Sequence, residues 1–313
     1  MSSSDPQEKT ELLESEQTGD AAERLSVEII RSACKLAGTI RGRCILVYVE
    51  FLHSEMALES LSPDVPVVLV ESGGSKLEEQ EEQIAQHVLH VPGIDLTRMG
   101  KIKIALLAAM SRGLFKRGDK VVCLSGSPLT GLLDTIVVME IGEEHEMFVG
   151  SEAQSITENV SPEVFDKVLE LAIQLAHQGR EGKPIGAIFV VGDDEEISKY
   201  TDQLIINPFR GYGEEERNVM DPRLTETIKE LATIDGAFVI RGDGTILSAG
   251  TYLKPAIAGE KLPPGLGARH AAAASLSAST SAIILTVSES TGTVRVFMDG
   301  RIVTEIEKRV RAG

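Results

Sequence analysis

The sequence predicts an α/β protein made of two α/β domains. Three observations carry that expectation. Short runs rich in Val and Ile, such as RCILVYVE (43–50), VPVVLVES (65–72), KVVCLSG (120–126) and GAIFVVGD (186–193), alternate with longer stretches of helical spacing. That alternation is the pattern of a mostly parallel sheet covered by helices. The length, 313 residues, suits about two domains. Between two such blocks, EEHEMFVGSEAQSITENVS (143–161) changes texture, which places a boundary at 148/149.

Residues 1–22 are rich in Ser, Glu, Gln and Asp without an apolar face and read as a disordered acidic tail. Domain 23–148 follows. A helix (21–38) leads to strand 43–50, a short helix (53–61) to strand 65–72, then come an acidic helix (76–88) and a second helix (99–115). Strands 120–126 and 134–142 close the domain. Domain 149–313 starts on helix 161–178, with Pro162 in the first turn after Ser161. Next come strand 186–193, helix 221–233 with Asp221 as N-cap and Pro222 behind it, and strand DGAFVIRG (235–242). In FVIRGDGTILSAG (238–250), Asp243-Gly244 between apolar runs signals a hairpin, and SAIILTVSESTGTVRVF (281–297) reads as two strands joined by a polar turn. No internal repeat is visible.

Composition excludes several functions. No apolar run approaches the roughly 20 residues of a membrane span. The start, MSSSDPQEKTELLESEQTGD, lacks the basic and apolar parts of a signal peptide, so a cytoplasmic protein is expected. A net charge of −17 argues against sequence-independent nucleic-acid binding, which needs lysines and arginines against phosphates. Any phosphate ligand therefore needs a local basic pocket. Cys34, Cys44 and Cys123 lie far apart in apolar segments and read as buried free thiols. His87, His90, His145 and His177 lack metal-ligand spacing and read as surface or packing residues.

One stretch offers such a pocket. GLGARHAAAAS (265–275) runs from glycines through Arg269 and His270 into four alanines. Free N–H groups at a helix start favour anions, and Gly267 lets a phosphate approach the backbone. The alternative reading is a plain Gly-rich loop entering a packed alanine helix. Two further stretches favour the pocket, although each by itself is more often a plain turn: Asp235 opens an apolar strand with Gly236 behind it, as a magnesium or manganese ligand would, and Ser288-Glu289 end another strand.

Taken in order, GAIFVVGD, the stretch LIINPFRGYGEEERNVMDPRLTETIKELATIDGAFVIRGDGTILSAGTYL, GLGARHAAA and TSAIILTVSESTGTVRVF resemble the diadenylate cyclase family, whose members join two ATP into cyclic di-AMP. The resemblance covers about residues 160–305 and implies a central mixed sheet flanked by helices. It implies that Asp235 serves the metal and the reacting 3′-hydroxyl. Gly236 and Ala237 would lie against the nucleotide, Tyr252 and Leu253 near adenine, Gly267, Arg269 and His270 at the phosphates, and Ser288 and Glu289 near the triphosphate. It further implies Mn2+ or Mg2+, with Asp235, His270 and Glu289 as ligands, and a homo-oligomer whose cyclase domains face each other, each presenting one ATP.

This sequence departs from the family at two positions: the second arginine of its Arg-His-Arg motif is Ala271, and the preceding Thr is Ala268. Arg241 and Lys254 are candidates to replace the lost cation, and an inactive ATP or cyclic-dinucleotide sensor is the alternative function. Residues 22–145 resemble, more diffusely, the carboxy-terminal domain of pyruvate kinase, a pairing similar to the archaeal form of the cyclase. There LSGSPLTG (124–131) reads as a structural turn, or as an anion nest for a phosphorylated effector.

Overall fold

The computed structural model describes residues 6–52, 54–62, 64–73, 79–94, 96–127, 131–142, 159–192, 194–254 and 266–307. The 148/149 boundary, His145 and part of the 124–131 loop lie outside them. The chain divides into two compact units, Met1–His90 with Asp119–Met139, and Val91–Gly118 with Glu140–Gly313. Both are α/β, as the alternation predicts. No helix among the described residues is long and apolar enough to cross a membrane.

The first unit opens on α1 (Pro6–Ile40) and continues through β1 (Cys44–Tyr48), α2 (Glu55–Glu59), β2 (Val67–Ser72), α3 (Glu79–Ile84) and β3 (His87–Val91). After α4 (Arg98–Ser111) it resumes with β4 (Lys120–Ser127) and β5 (Leu132–Glu140). The strand order is β3-β2-β1-β4-β5, with β1 parallel to both neighbours. In α1, Val27, Ile30, Ala33, Cys34 and Ala37 are buried at helical spacing.

Three expectations change. Residues 6–22 are helical where the sequence suggested a disordered tail. Glu, Gln, Lys, Leu and Ala are good helix formers, and Pro6 opens the helix, where its missing N–H costs nothing. Second, α3 is short, and HVLHV is a strand rather than the end of that helix. A short apolar run has no period long enough to tell the two apart. Third, residues 91–118 group with the second unit. There α4, buried along most of its length, packs on α5 (Pro162–Gln178) and β12 (Arg301–Ile306), and Arg112 Nη2 donates to Asp166 Oδ2 at 2.7 Å.

After α5 the second unit runs through β6 (Ala187–Gly192), α6 (Asp194–Lys199), β7 (Thr201–Gln203), α7 (Thr225–Leu231), β8 (Ala237–Arg241), β9 (Ile246–Leu253), α8 (Ala268–Ser277), β10 (Ile283–Val287), β11 (Val294–Met298) and β12. Ser161 caps α5 by accepting from the Val164 amide. Asp221 caps a 3-10 turn, Pro222–Leu224, that leads into α7. The order is β12-β11-β10-β6-β8-β9-β7; β6 and β8 are parallel, and the other registered pairs are antiparallel. The Asp243-Gly244 turn joins β8 to β9, with Gly244 at φ +93°, a conformation that glycine adopts freely. The sequence reading missed β12, although Asp299-Gly300 carries the same turn signal. The core sets Ile188, Val190, Val239, Ile284 and Phe297 of the sheet against Ala273, Ala274 and Leu276. Alanines bring α8 close to the strands, and that fixes its amino terminus at the sheet's edge.

Candidate active site

Register places the candidate residues. Ala187 of β6 pairs with Val287 of β10, Ile188 with Ala237 of β8, and Val287 with Val294 of β11. The starts of β6, β8 and β11 and the end of β10 therefore share one edge of the sheet. Asp235 precedes β8, Ser288 and Glu289 follow β10, and the start of α8 lies over the same edge. A cleft of about 800 Å3 opens there, lined by Asp235, Gly267, Arg269, His270, Ser288 and Glu289 among others.

Arg269 organises the mouth. Its Nη1 donates to Glu289 Oε2 at 3.2 Å, and its Nη2 lies 3.9 Å from Asp235 Oδ1. Gly186 makes this possible: a Cβ there would stand 2.5 Å from Arg269 Nη1. Asp235 accepts from the Gly236 amide at 3.0 Å, and its side chain is 86% exposed. Ser288 anchors the 288–292 turn, its amide donating to Thr293 O and its carbonyl accepting from the Gly292 amide.

His270 is only 8% exposed. Arg295 Nη1 lies 3.1 Å from its Nε2, and Arg295 Nε donates to Glu305 Oε1 at 2.6 Å. An arginine only donates, so Nε2 accepts and the ring proton sits on Nδ1, which is buried with no hydrogen-bond partner among the described residues. Burial foremost, then the positive charge of Arg295, lowers the His270 pKa, with Glu305 pulling the other way. The imidazole is thus neutral at pH 7.

Not every expected residue lines the cleft. Ala237 and Leu253 are buried in the core. Gly236, at φ +111°, makes room for backbone: a Cβ there would lie 2.6 Å from Gly250 C and Thr251 N. Tyr252 is exposed on β9, in register with Asp202. Neither proposed substitute cation reaches the cleft. Arg241, at the far end of β8, is bound to Glu214 and Asp243, and Lys254 pairs with Asp202 at 2.9 Å. Ala268 lines the cleft, whereas Ala271 is exposed outside its lining.

Asp235 and Glu289, exposed hard-oxygen donors on either side of one guanidinium, are of the type that would hold a magnesium or manganese ion. The described residues hold no group of three or more side chains suited to a metal alone. His270 does not fit as a ligand, because Nε2 is engaged by a cation and Nδ1 is buried. Arg295 and Gly186 escaped the sequence reading; the available signal for Arg295 was a lone charge between valines in a strand.

Comparison with known proteins bears on this site. The family described as "DisA bacterial checkpoint controller nucleotide-binding" matches residues 174–302. A diadenylate cyclase of Methanocaldococcus jannaschii is 40% identical over 210 residues, covering 66% of this chain and 66% of that protein. One of Haloferax volcanii is 34% identical over 212 residues, covering 66% of this chain and 75% of that protein. The chain belongs to the diadenylate cyclase family. In this cyclase-family chain every candidate residue from Asp235 to Glu289 falls inside the matched segment, as does Arg295, while Glu305 lies just beyond it. A second family, described as "Probable sensor domain DacZ_P", matches residues 26–149. Among solved structures, DacA from Staphylococcus aureus is similar at 24% identity with a TM-score of 0.31, covering 45% of this chain and 84% of that one.

Proposed function

We propose that this chain condenses two ATP into cyclic di-AMP and two pyrophosphates. The observation that carries the reading is Arg269 held between Asp235 and Glu289 at the mouth of α8, in a cleft large enough for a nucleotide. Arg269 and the free amides of the helix start bind and orient the triphosphate. Asp235, projecting from the strand end, receives the proton of the attacking 3′-hydroxyl. A bound Mg2+ or Mn2+ supplies charge neutralisation at the phosphates. Each 3′-oxygen forms a bond to the α-phosphorus of the other nucleotide as the bond to the β-phosphate bridging oxygen breaks, and pyrophosphate leaves. The described residues hold one such site, and two bonds must form, so two chains face each other across a two-fold axis.

Residues 23–148 act in this reading as a sensing domain similar to the pyruvate kinase carboxy-terminal domain, joined to a cyclase domain over 149–313. Incubation with ATP and Mn2+ or Mg2+, followed by mass identification of products against a chelator control, tests the function. Cyclic di-AMP with pyrophosphate is expected. The cleft's Ala268 in place of a hydroxyl favours a second reading, a nucleotide-binding sensor. Bound but unaltered ATP under both metals would establish that reading instead.

A further inference from the structure

The cleft contains a second guanidinium, on β11. Arg295 lines it from the sheet side, whereas Arg269 enters from the helix. The Arg295 side chain is only 13% exposed, yet its plane is fixed at two corners, Nε on Glu305 and Nη1 on His270. Its third nitrogen, Nη2, makes no hydrogen bond among the described residues. Pairing with Glu305 is part of the sheet itself, since Arg295 and Glu305 are register partners on β11 and β12 and so share a face. A guanidinium held this way loses little freedom on binding, and an idle donor in a partly dry cleft is completed by an anion's oxygen.

The alternative is a purely structural ion pair supporting the His270 ring. Three features point beyond it: the side chain lines the cleft, Nη2 is idle, and neither Arg241 nor Lys254 reaches the site. We infer that Arg295 is a nucleotide phosphate-binding residue, donating from Nη2 to a non-bridging phosphate oxygen while Glu305 and His270 hold its plane. Together with Arg269 it grips the polyphosphate from two walls, supplying the second cation that position 271 lacks. This rests on the ATP reading above.

The test compares ATP with adenosine, which has no phosphate, by calorimetry on the full chain. Arg295→Gln should weaken ATP about 10- to 100-fold, the loss of one charge-assisted contact, and leave adenosine affinity unchanged. Arg295→Lys, which keeps the charge beside Glu305, should fall between wild type and Arg295→Gln, and it serves if the Gln variant does not fold. A structural role alone would lower both ligands together or neither. An ATP-to-adenosine affinity ratio equal to wild type in either folded variant overturns the assignment. Wild type that binds no ATP overturns the nucleotide reading itself, a result separate from retained ATP binding in the variants.

Discussion

The Arg269 guanidinium, hydrogen-bonded to Glu289, stands 3.9 Å from the Asp235 carboxylate. An exposed pair at that distance contributes little to folding, about 0 to 1 kcal/mol. Asp235→Asn should therefore leave the unfolding midpoint unchanged and ATP affinity largely intact. Cyclic product should fall by about 100-fold or more, because a charge is lost where the hydroxyl reacts. Equal turnover in wild type and variant would remove Asp235 from the reaction.

Gly186→Ala tests how Arg269 is seated. Gly186 is not among the glycines at positive φ, so space alone decides, and the added methyl would stand 2.5 Å from Nη1. Displacement of the guanidinium should cost ATP binding about 1.5 to 3 kcal/mol, as Arg269→Ala should. Wild-type affinity by calorimetry would show that Arg269 does not bind phosphate from this position.

Gly236→Ala should act on folding instead. Its methyl would meet the backbone of Gly250 and Thr251 at 2.6 Å, with φ at +111°, and backbone in a paired strand cannot step aside. A loss of about 2 kcal/mol or more is expected in denaturant unfolding. A change below about 0.5 kcal/mol would mean that the hairpin yields.

Burial foremost pushes the Cys44 thiol up to about 12, against a downward pull from Arg43. A raised thiol pKa leaves almost no thiolate at pH 8, and the thiolate is what alkylates. Native protein treated with iodoacetamide at pH 8 should show unmodified Cys44 by peptide mass, and unfolded protein full modification. Rapid labelling of the native chain would contradict the buried placement of β1.

The reaction order in enzyme tests the shared site. A lone chain presents one hydroxyl without a second α-phosphate, so rate should rise faster than linearly with enzyme concentration until the pairs saturate. Strict proportionality, down to concentrations where light scattering finds only monomers, would require a different mechanism.

Sequence alone singled out Asp235, Arg269, Ser288 and Glu289, which line one cleft, because each stands at a local signal: a strand opened by an acid, a glycine-led helix, a polar turn. It did not find Arg295 or Gly186, whose places beside His270 and Arg269 exist only once α8 lies on the sheet and β11 pairs with β12. The error at HVLHV has the same origin, since pairing with β2 rather than local periodicity makes it a strand. His270 was found but misjudged. Its type suits a metal, and only the neighbour on β11 shows that its outer nitrogen is taken.

The strand order has a consequence for how the protein is made. Asp235 lies on a hairpin that can form early, but the cleft needs β10 inserted beside β6, and Arg295 needs Glu305 from the final strand. Pairings between such distant segments form late. A chain still on the ribosome, with β12 inside the exit tunnel, thus carries the acidic residue of the site but no complete grip for a nucleotide. In the proposed reading the full grip on a nucleotide therefore waits for β12, and from then on bound nucleotide would stabilise the folded second sheet by mass action.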